Sequence, residues 1–194
     1  MSNDTEKKQG VLGAVNFDEI DKNKEKVEVI DPMFVGMDPS YNGFAIMILD
    51  KDANIIEQKL FGSDSKAEVE ERLMELEKEF QFIPNIIRLH SVCIEGPSYS
   101  SNGAFVLQMG ALHYIIRLML KKKNVDYNVI APGTLKKFVT GDGRAKKDLM
   151  LLKVYKKWGV EFNNDNLADA YGLARMALEN YLNETNRQVS GKTK

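Results

Sequence analysis

The sequence contains one cysteine, two histidines and five prolines among its 194 residues. The single cysteine, Cys93, excludes an intrachain disulfide and a cysteine-rich zinc site, and it suits a reducing compartment. His90 and His113 are isolated, and no serine or cysteine has an evident histidine and acid partner, so a nucleophilic triad or a zinc hydrolase has little support. The absence of a Gly-x-x-x-x-Gly-Lys-Ser/Thr loop argues against a P-loop ATPase.

The sequence has no excess of either charge and no long apolar run. Lysine and arginine total 27 against 28 aspartates and glutamates, which gives a net charge of −1, so binding to a polyanion requires a local patch. The first residues are polar, and no apolar stretch approaches about 18 residues, the length that crosses a bilayer. We therefore expect a cytoplasmic protein that does not enter a membrane.

The length and the 43% of hydrophobic residues are sufficient for one globular domain with a sizeable core. We expect this domain over residues 27–182. Polar and charged composition predicts an N-terminal arm over residues 1–26 and a C-terminal tail over residues 183–194 that frays.

Alternating apolar runs and turn residues indicate the order of secondary structure. Three runs are close enough to form an antiparallel meander, two further strands follow singly, and helical patterns lie between and after them. The predicted strands are 34–38, 44–49, 55–61, 91–95 and 127–131, and the predicted helices are 66–80, 104–122, 132–138, 146–158 and 167–182. This order predicts an α/β domain with a mixed sheet flanked by helices.

Four acids adjoin otherwise apolar elements. Asp38 and Glu95 each end a predicted strand, and Asp165 and Asp169 are four residues apart, about one turn of a helix. Carboxylates this close repel one another unless a cation lies between them, and their oxygens suit magnesium or manganese. If the two strands are neighbours and the last helix packs over their ends, the four carboxylates converge on the divalent cluster that two-metal phosphodiester chemistry requires.

Each acid also has a simpler explanation. Acids at strand ends commonly start turns, which would account for Asp38 and Glu95 taken singly. Asp165 could be the N-terminal cap of the last helix. Asp169 is harder to explain this way, because Leu167, Ala168 and Ala170 place it on or beside the apolar side of that helix.

Basic residues are concentrated in one part of the chain. Residues 117–157 hold twelve basic and three acidic residues, a local charge of +9, so the remainder carries −10. A basic half beside an acidic metal cluster suits a substrate with a phosphate backbone, although lysines on helices are also ordinary solvated residues. Tyr99, in the loop after Glu95, could stack on a splayed base, but surface loops also carry tyrosines without such a role.

The stretch from Phe34 to Leu178 resembles the RuvC-like Holliday junction resolvases of the ribonuclease H superfamily, especially their bacteriophage branch. The resemblance is carried by Val35-Gly36-Met37-Asp38-Pro39-Ser40, Val92-Cys93-Ile94-Glu95, the segment Gly141-Asp142-Gly143-Arg144-Ala145-Lys146-Lys147-Asp148, and Asp165-Asn166-Leu167-Ala168-Asp169-Ala170. It implies a ribonuclease H-like fold whose five-stranded sheet has three antiparallel strands and then two parallel ones.

The last motif departs from the bacterial pattern, in which two aspartates lie three residues apart. The position three before Asp169 is Asn166. Either Asp165 or Asn166 must then complete the site, and relatives of the bacteriophage type often show this Asp-Asn-x-Ala-Asp arrangement.

The resemblance implies a crossover junction endonuclease that hydrolyses phosphodiester bonds of four-way DNA junctions and acts as a homodimer in contact through its long helix. Two Mg²⁺ ions per site, replaceable by Mn²⁺, would be held by Asp38, Glu95, Asp165 and Asp169, with Lys147 near the cleaved phosphate. The residues expected to bind DNA are Tyr99, Lys121, Lys122, Lys123, Lys136, Lys137, Arg144 and Lys146.

Three alternatives stay open at the level of sequence. The first is a module that binds branched nucleic acid without cutting it, and Asn166 is the residue that keeps this alternative open. The second is a related nuclease for RNA/DNA hybrids, forks or flaps. The third, an actin-like phosphotransferase, needs a second lobe for which the chain has too few residues.

Overall fold

A computed structural model describes the backbone of residues 32–81, 89–97 and 103–191. The predicted N-terminal arm, residues 1–26, lies outside the described residues. The strands are β1 (Met33–Asp38), β2 (Phe44–Leu49), β3 (Ile55–Phe61), β4 (Leu89–Glu95) and β5 (Tyr127–Ile130). The helices are α1 (Val69–Gln81), α2 (Gly103–Lys122), α3 (Pro132–Thr140), α4 (Lys147–Trp158) and α5 (Asp165–Gly191).

The five strands form one mixed sheet in the order β3-β2-β1-β4-β5. β1 pairs antiparallel with β2 and parallel with β4, β2 pairs antiparallel with β3, and β4 pairs parallel with β5. The predicted sheet, with three antiparallel strands and then two parallel ones, is confirmed. The central position of β1 explains its nearly continuous apolar run, because helices cover both of its faces.

Alternation along the strands divides the core into two layers. Val35 and Met37 of β1 face the cluster that α1 and α2 cover. Phe34 faces the opposite cluster, to which α3, α4 and α5 contribute. Successive side chains of a strand point to opposite faces, so a single apolar strand supplies both layers.

Helix α5 lies unusually close to β1 at Gly36. A Cβ atom added at Gly36 would lie 1.9 Å from the carbonyl oxygen of Ala170, so only glycine permits this approach. The contact positions the first turns of α5 beside the end of β1 that carries Asp38.

Two helix boundaries differ from the sequence prediction for local reasons. Helix α1 begins at Val69 and not near residue 66, because Asp64 forms a turn: its Oδ1 accepts from the amide of Lys66 (2.9 Å) and its carbonyl from the amide of Ala67 (3.2 Å). Helix α5 continues to Gly191, so residues 183–191 of the predicted tail are helical. No proline interrupts this stretch before Gly191.

Within the described residues, α2 is long and apolar enough to cross a membrane by length and composition, with a mean hydropathy of 1.4 over its most apolar 18 residues. This differs from the expectation that no stretch approaches that length, because a few isolated polar residues interrupt the run without lowering its mean hydropathy much. The helix buries Leu112, Ile116 and Leu120 in the core beside the sheet. Leu107, Tyr114 and Leu118, on another side of the helix, are exposed.

Candidate active site

Two parallel strands bring Asp38 and Glu95 together. Met37 of β1 pairs with Ile94 of β4, and the next residue of each strand is the acid. The amide of Gly96 donates a 2.7 Å hydrogen bond to the carbonyl of Ile130, which keeps the chain in the sheet directly after Glu95. The carboxyl ends of neighbouring parallel strands meet at one edge, so the two acids face the same space.

Asp169 enters this space from α5. Carboxylate oxygens of Asp38, Glu95 and Asp169 all lie within 4.8 Å of one another. Three of the four predicted metal ligands are therefore brought together.

Burial and mutual repulsion raise the pKa values of these groups. Burial is the largest cause for Asp38, whose pKa lies well above its usual range, and the charge of Glu95 and a hydrogen bond with it raise it further. Burial also raises the pKa of Glu95. It raises the pKa of Asp169 to about 7, with further contributions from the charges of Glu95 and Asp165.

The cluster fits a divalent cation. Oδ1 of Asp169 is buried and has no hydrogen-bond partner among the described residues. Buried carboxylates are stable only when they are paired, protonated or bound to a metal, and a compact set of hard oxygen donors matches Mg²⁺ or Mn²⁺.

Asp165 and Asn166 lie beside the cluster and make different contacts. Asp165 forms an ion pair with Lys147 of α4. Asn166 donates from Nδ2 to the carbonyl of Gly43, 2.7 Å away. The N-terminal cap of α5 is Asn164, whose Oδ1 accepts from the amides of Asn166 (2.9 Å) and Leu167 (3.2 Å), so the alternative role of Asp165 as the cap is wrong.

The acids open into a pocket of about 410 Å³. One wall is the segment Pro39–Asn42, and α2 forms another with Phe105, Met109 and His113. Lys136 of α3 and Lys147 of α4 lie on the basic side. The positive charges of both lysines oppose the rise in the pKa values of Glu95 and Asp169.

His113 is isolated from other catalytic residue types in the sequence, but it lines this pocket and is only 2% exposed. Burial, and next the charge of Arg117, lower its pKa to about 4, so the imidazole is neutral at pH 7. Phe105, Met109 and His113 follow one another at intervals of four residues, and this spacing in the sequence indicates that they share one face of a helix. Cys93 is buried, and burial raises the pKa of its thiol to about 11, which agrees with its exclusion as a nucleophile.

The residues predicted to bind DNA fall into two groups. Lys136 lines the pocket, and Lys137, Arg144 and Lys146 are exposed on α3 and the connection to α4. Lys121, Lys122 and Lys123 are exposed at the carboxyl end of α2, whereas the amino-terminal half of α2 faces the pocket. Tyr99 lies outside the described residues.

The sheet order and the acids at the ends of β1 and β4 define an α/β domain with a carboxylate cluster that fits a divalent cation. The family model for RuvC, crossover junction endodeoxyribonuclease, matches residues 34–177. The chain therefore belongs to the RuvC family, which confirms the predicted fold and the predicted enzyme class.

The relatives agree with this assignment. The crossover junction endodeoxyribonuclease RuvC of Ehrlichia canis is 27% identical over 143 residues, which cover 72% of this chain and 92% of that protein. The RuvC of Petrotoga mobilis is 26% identical over 147 residues, covering 73% and 90%. Both are bacterial, so they support the family and not the predicted bacteriophage branch.

A solved structure supports the fold independently. Thermus thermophilus RuvC in complex with a Holliday junction superposes with a TM-score of 0.64 at 17% identity, over 73% of this chain and 90% of that one.

Proposed function

We propose that this protein is a metal-dependent endonuclease that resolves four-way DNA junctions. The observation that carries the proposal is the cluster of Asp38, Glu95 and Asp169, whose carboxylate oxygens lie within 4.8 Å of one another, in a chain of the RuvC family. The printed names of the relatives describe crossover junction endodeoxyribonucleases, and the Thermus structure contains such a junction.

The proposed ligands are Asp38, Glu95 and Asp169, with Asp165 completing a site for two Mg²⁺ ions that Mn²⁺ can replace. When bound, the ions supply Lewis-acid activation of a water and stabilisation of the leaving 3′-oxygen. The oxygen of this water bonds to phosphorus as the bond to the 3′-oxygen breaks, and the products carry a 5′-phosphate and a 3′-hydroxyl.

The two lysines of the pocket act on the phosphate. Lys147 and Lys136 point positive charge into the space beside the acids, where they offset the charge of the scissile phosphate as it develops. The ion pair with Asp165 holds Lys147 in place before DNA arrives. The exposed residues Lys137, Arg144 and Lys146 extend this positive surface along the DNA backbone.

A second copy of the chain is the proposed partner. Leu107, Tyr114 and Leu118 of α2 are 77%, 65% and 56% exposed, and their spacing places them along one side of the helix. An apolar face of this kind suits a twofold contact between α2 helices. Two sites related by a twofold axis could cut opposed strands of a symmetric junction.

Cleavage of a labelled four-way junction tests the proposal. The full-length protein is incubated with Mg²⁺ and the junction, a matched linear duplex, a fork, a flap or an RNA/DNA hybrid. Asp38→Asn, Asp169→Asn and a chelator serve as controls. We expect nicks in the junction in preference to the duplex, and each control should abolish them.

Other outcomes identify the alternatives. A protein that binds the junction and never cuts it with Mg²⁺ or Mn²⁺ is a shape-specific binding module. Preferred cleavage of hybrid, fork or flap identifies a related nuclease of another substrate class.

Cytoplasmic location and membership of the bacteriophage branch stay predictions. The bacteriophage branch is supported only by the order Asp165-Asn166-Leu167-Ala168-Asp169.

A further inference from the structure

The loop Pro39–Gly43 connects β1 to β2 and follows Asp38 directly. Pro39, Ser40, Tyr41 and Asn42 form one wall of the pocket. The conformation of this loop therefore sets both the position of the Asp38 carboxylate and the shape of the space beside it. A loop with no strand or helix of its own needs side-chain contacts to hold such a position.

Arg72 of α1 holds the loop from one side. Its Nε donates to Oγ of Ser63 (2.8 Å), its Nη2 donates to Oδ1 of Asn42 (2.8 Å), and its Cζ lies 4.7 Å from the ring centroid of Tyr41. Ser63 is itself tied to the loop, because its amide and its hydroxyl both donate to the carbonyl of Tyr41, at 2.9 and 3.1 Å. A planar guanidinium can meet these three partners at once, and a lysine ammonium cannot.

Tyr41 extends the same network to α2. Its ring is buried, with 6% exposed, and its hydroxyl donates to the carbonyl of Gln108, 2.9 Å away. The next residue, Met109, lines the pocket. From the other face of the sheet, Asn166 of α5 donates to the carbonyl of Gly43. The loop is thus attached to α1, α2 and α5.

We propose that Arg72 and Tyr41 are positioning residues for the metal centre: they hold the Asp38 loop so that the Asp38 carboxylate stays within reach of Glu95 and Asp169. The inference rests on the proposed metal-dependent function. Neither Arg72 nor the hydroxyl of Tyr41 is proposed to touch metal or DNA. These contacts are needed because the loop directly follows Asp38, and a loosely held loop would let the Asp38 side chain move away from Glu95 and Asp169.

Metal affinity is the direct test. Mn²⁺ binding to the full-length protein without DNA is measured by calorimetry for wild type, Arg72→Lys, Tyr41→Phe and Lys78→Ala. Lys78 is an exposed cation of the same helix, so its variant is the matched control. Loss of a group that orients a metal ligand costs about 10-fold or more in metal affinity or activity, and we expect about 10-fold weaker Mn²⁺ binding for Arg72→Lys and wild-type binding for Lys78→Ala.

Tyr41→Phe keeps the buried ring and removes only the hydroxyl, so it tests the link to Gln108 if Arg72→Lys folds poorly. We expect weaker Mn²⁺ binding and a lower kcat for junction cleavage, with the KM for DNA unchanged. Thermal unfolding in chelator is measured in parallel. Variants that unfold earlier but bind Mn²⁺ like wild type overturn the proposal, since their residues are then merely structural. A rise in the KM for DNA of Arg72→Lys, with kcat and Mn²⁺ binding unchanged, also overturns the proposal, because Arg72 would then act on DNA.

The wild-type protein separates this inference from the proposed function. If the wild type binds Mn²⁺ but cleaves no junction, the proposed nuclease function is wrong. The positioning role of Arg72 and Tyr41 is then decided by Mn²⁺ binding of the variants. No Mn²⁺ binding at all overturns both proposals.

Discussion

The Lys147 ammonium of α4 forms an ion pair with the Asp165 carboxylate at the start of α5. The hydrogen bond with Asp165 is the largest cause that raises the pKa of Lys147, and the negative charge of Asp165 raises it further. Asp165 can pair with Lys147 because Asn164, and not Asp165, is the N-terminal cap of α5. The neighbouring Lys146 is the N-terminal cap residue of α4 and makes no side-chain hydrogen bond as a cap.

The different positions of these adjacent lysines predict different effects of their removal. Lys147→Ala should lower kcat for junction cleavage by about 100-fold, the usual order for loss of one group that stabilises developing charge. The KM for the junction should change little. Single-turnover cleavage with saturating enzyme measures the step directly.

Lys146→Ala is the matched control, because it removes the same charge one residue away. It should weaken junction binding slightly and leave the single-turnover rate near wild type. Equal losses of rate for the two variants would contradict the assignment of Lys147 to the scissile phosphate.

The raised pKa values of the acids predict how pH affects the metal-free protein. The pKa of Asp169 is about 7 when folded against 3.8 ordinarily. Between these values the folded state binds more protons than the unfolded state, so stability falls as pH rises through about 7. Asp38 and Glu95 act in the same direction. We expect the Asp169 carboxylate to contribute a loss on the order of 1 to 3 kcal/mol between pH 5 and pH 8, read from the difference between wild type and Asp169→Asn.

Urea unfolding in chelator at pH 5 and pH 8 measures this loss, with Asp169→Asn as the comparison. The variant lacks the buried carboxylate and should be the more stable protein at pH 8, with a smaller difference at pH 5. His113 has the opposite pH dependence, because its folded pKa of about 4 lies below the ordinary 6.5. It is present in both proteins, so the difference between them removes its effect. Identical pH profiles would exclude Asp169 as the source.

The sequence was sufficient for the sheet and for most of the site. Asp38 and Glu95 end apolar strands, and neighbouring parallel strands deliver such residues to one edge, so their meeting follows from topology. Asp169 follows from helix periodicity once α5 is placed on β1. These predictions rest on local patterns together with the strand order that the family resemblance implied.

Other parts of the site depend on contacts that local sequence does not encode. Asn163, Asn164 and Asp165 are all good N-terminal caps, and the tertiary path of the chain into α5 selects Asn164. Asn166 reaches Gly43 across 123 residues of sequence. The side of α2 that carries His113 is determined by how that helix packs on the sheet.

The two basic groups predict different salt dependences of junction binding. Each phosphate contact contributes about 0.9 to the slope of log K against log salt concentration. Removing Lys137, Arg144 and Lys146 together should lower the slope by about 2 to 3, because these side chains are exposed on or just before the elements that carry Lys136 and Lys147, the lysines of the pocket. Removing Lys121, Lys122 and Lys123 together should lower it less, since they lie at the far end of α2 and Lys121 is already paired with Asp126 at 3.3 Å.

Fluorescence anisotropy of a labelled junction over a range of salt concentrations, in Ca²⁺ to avoid cleavage, gives both slopes. A larger change for the α2 triple variant would show that the junction arms lie along α2.

The exposed apolar face of α2 predicts how the oligomeric state responds to charge. Leu118→Glu places a carboxylate on this face, and burying it against a second copy would cost several kcal/mol. We expect a monomer for this variant and a dimer for wild type, measured by light scattering after size exclusion. Leu182→Glu adds the same charge at an exposed leucine of α5 and should stay dimeric. If the Leu118→Glu monomer still nicks one strand but no longer makes paired cuts, the dimer serves to coordinate two sites. A wild-type protein that is monomeric at all concentrations would exclude this role for α2.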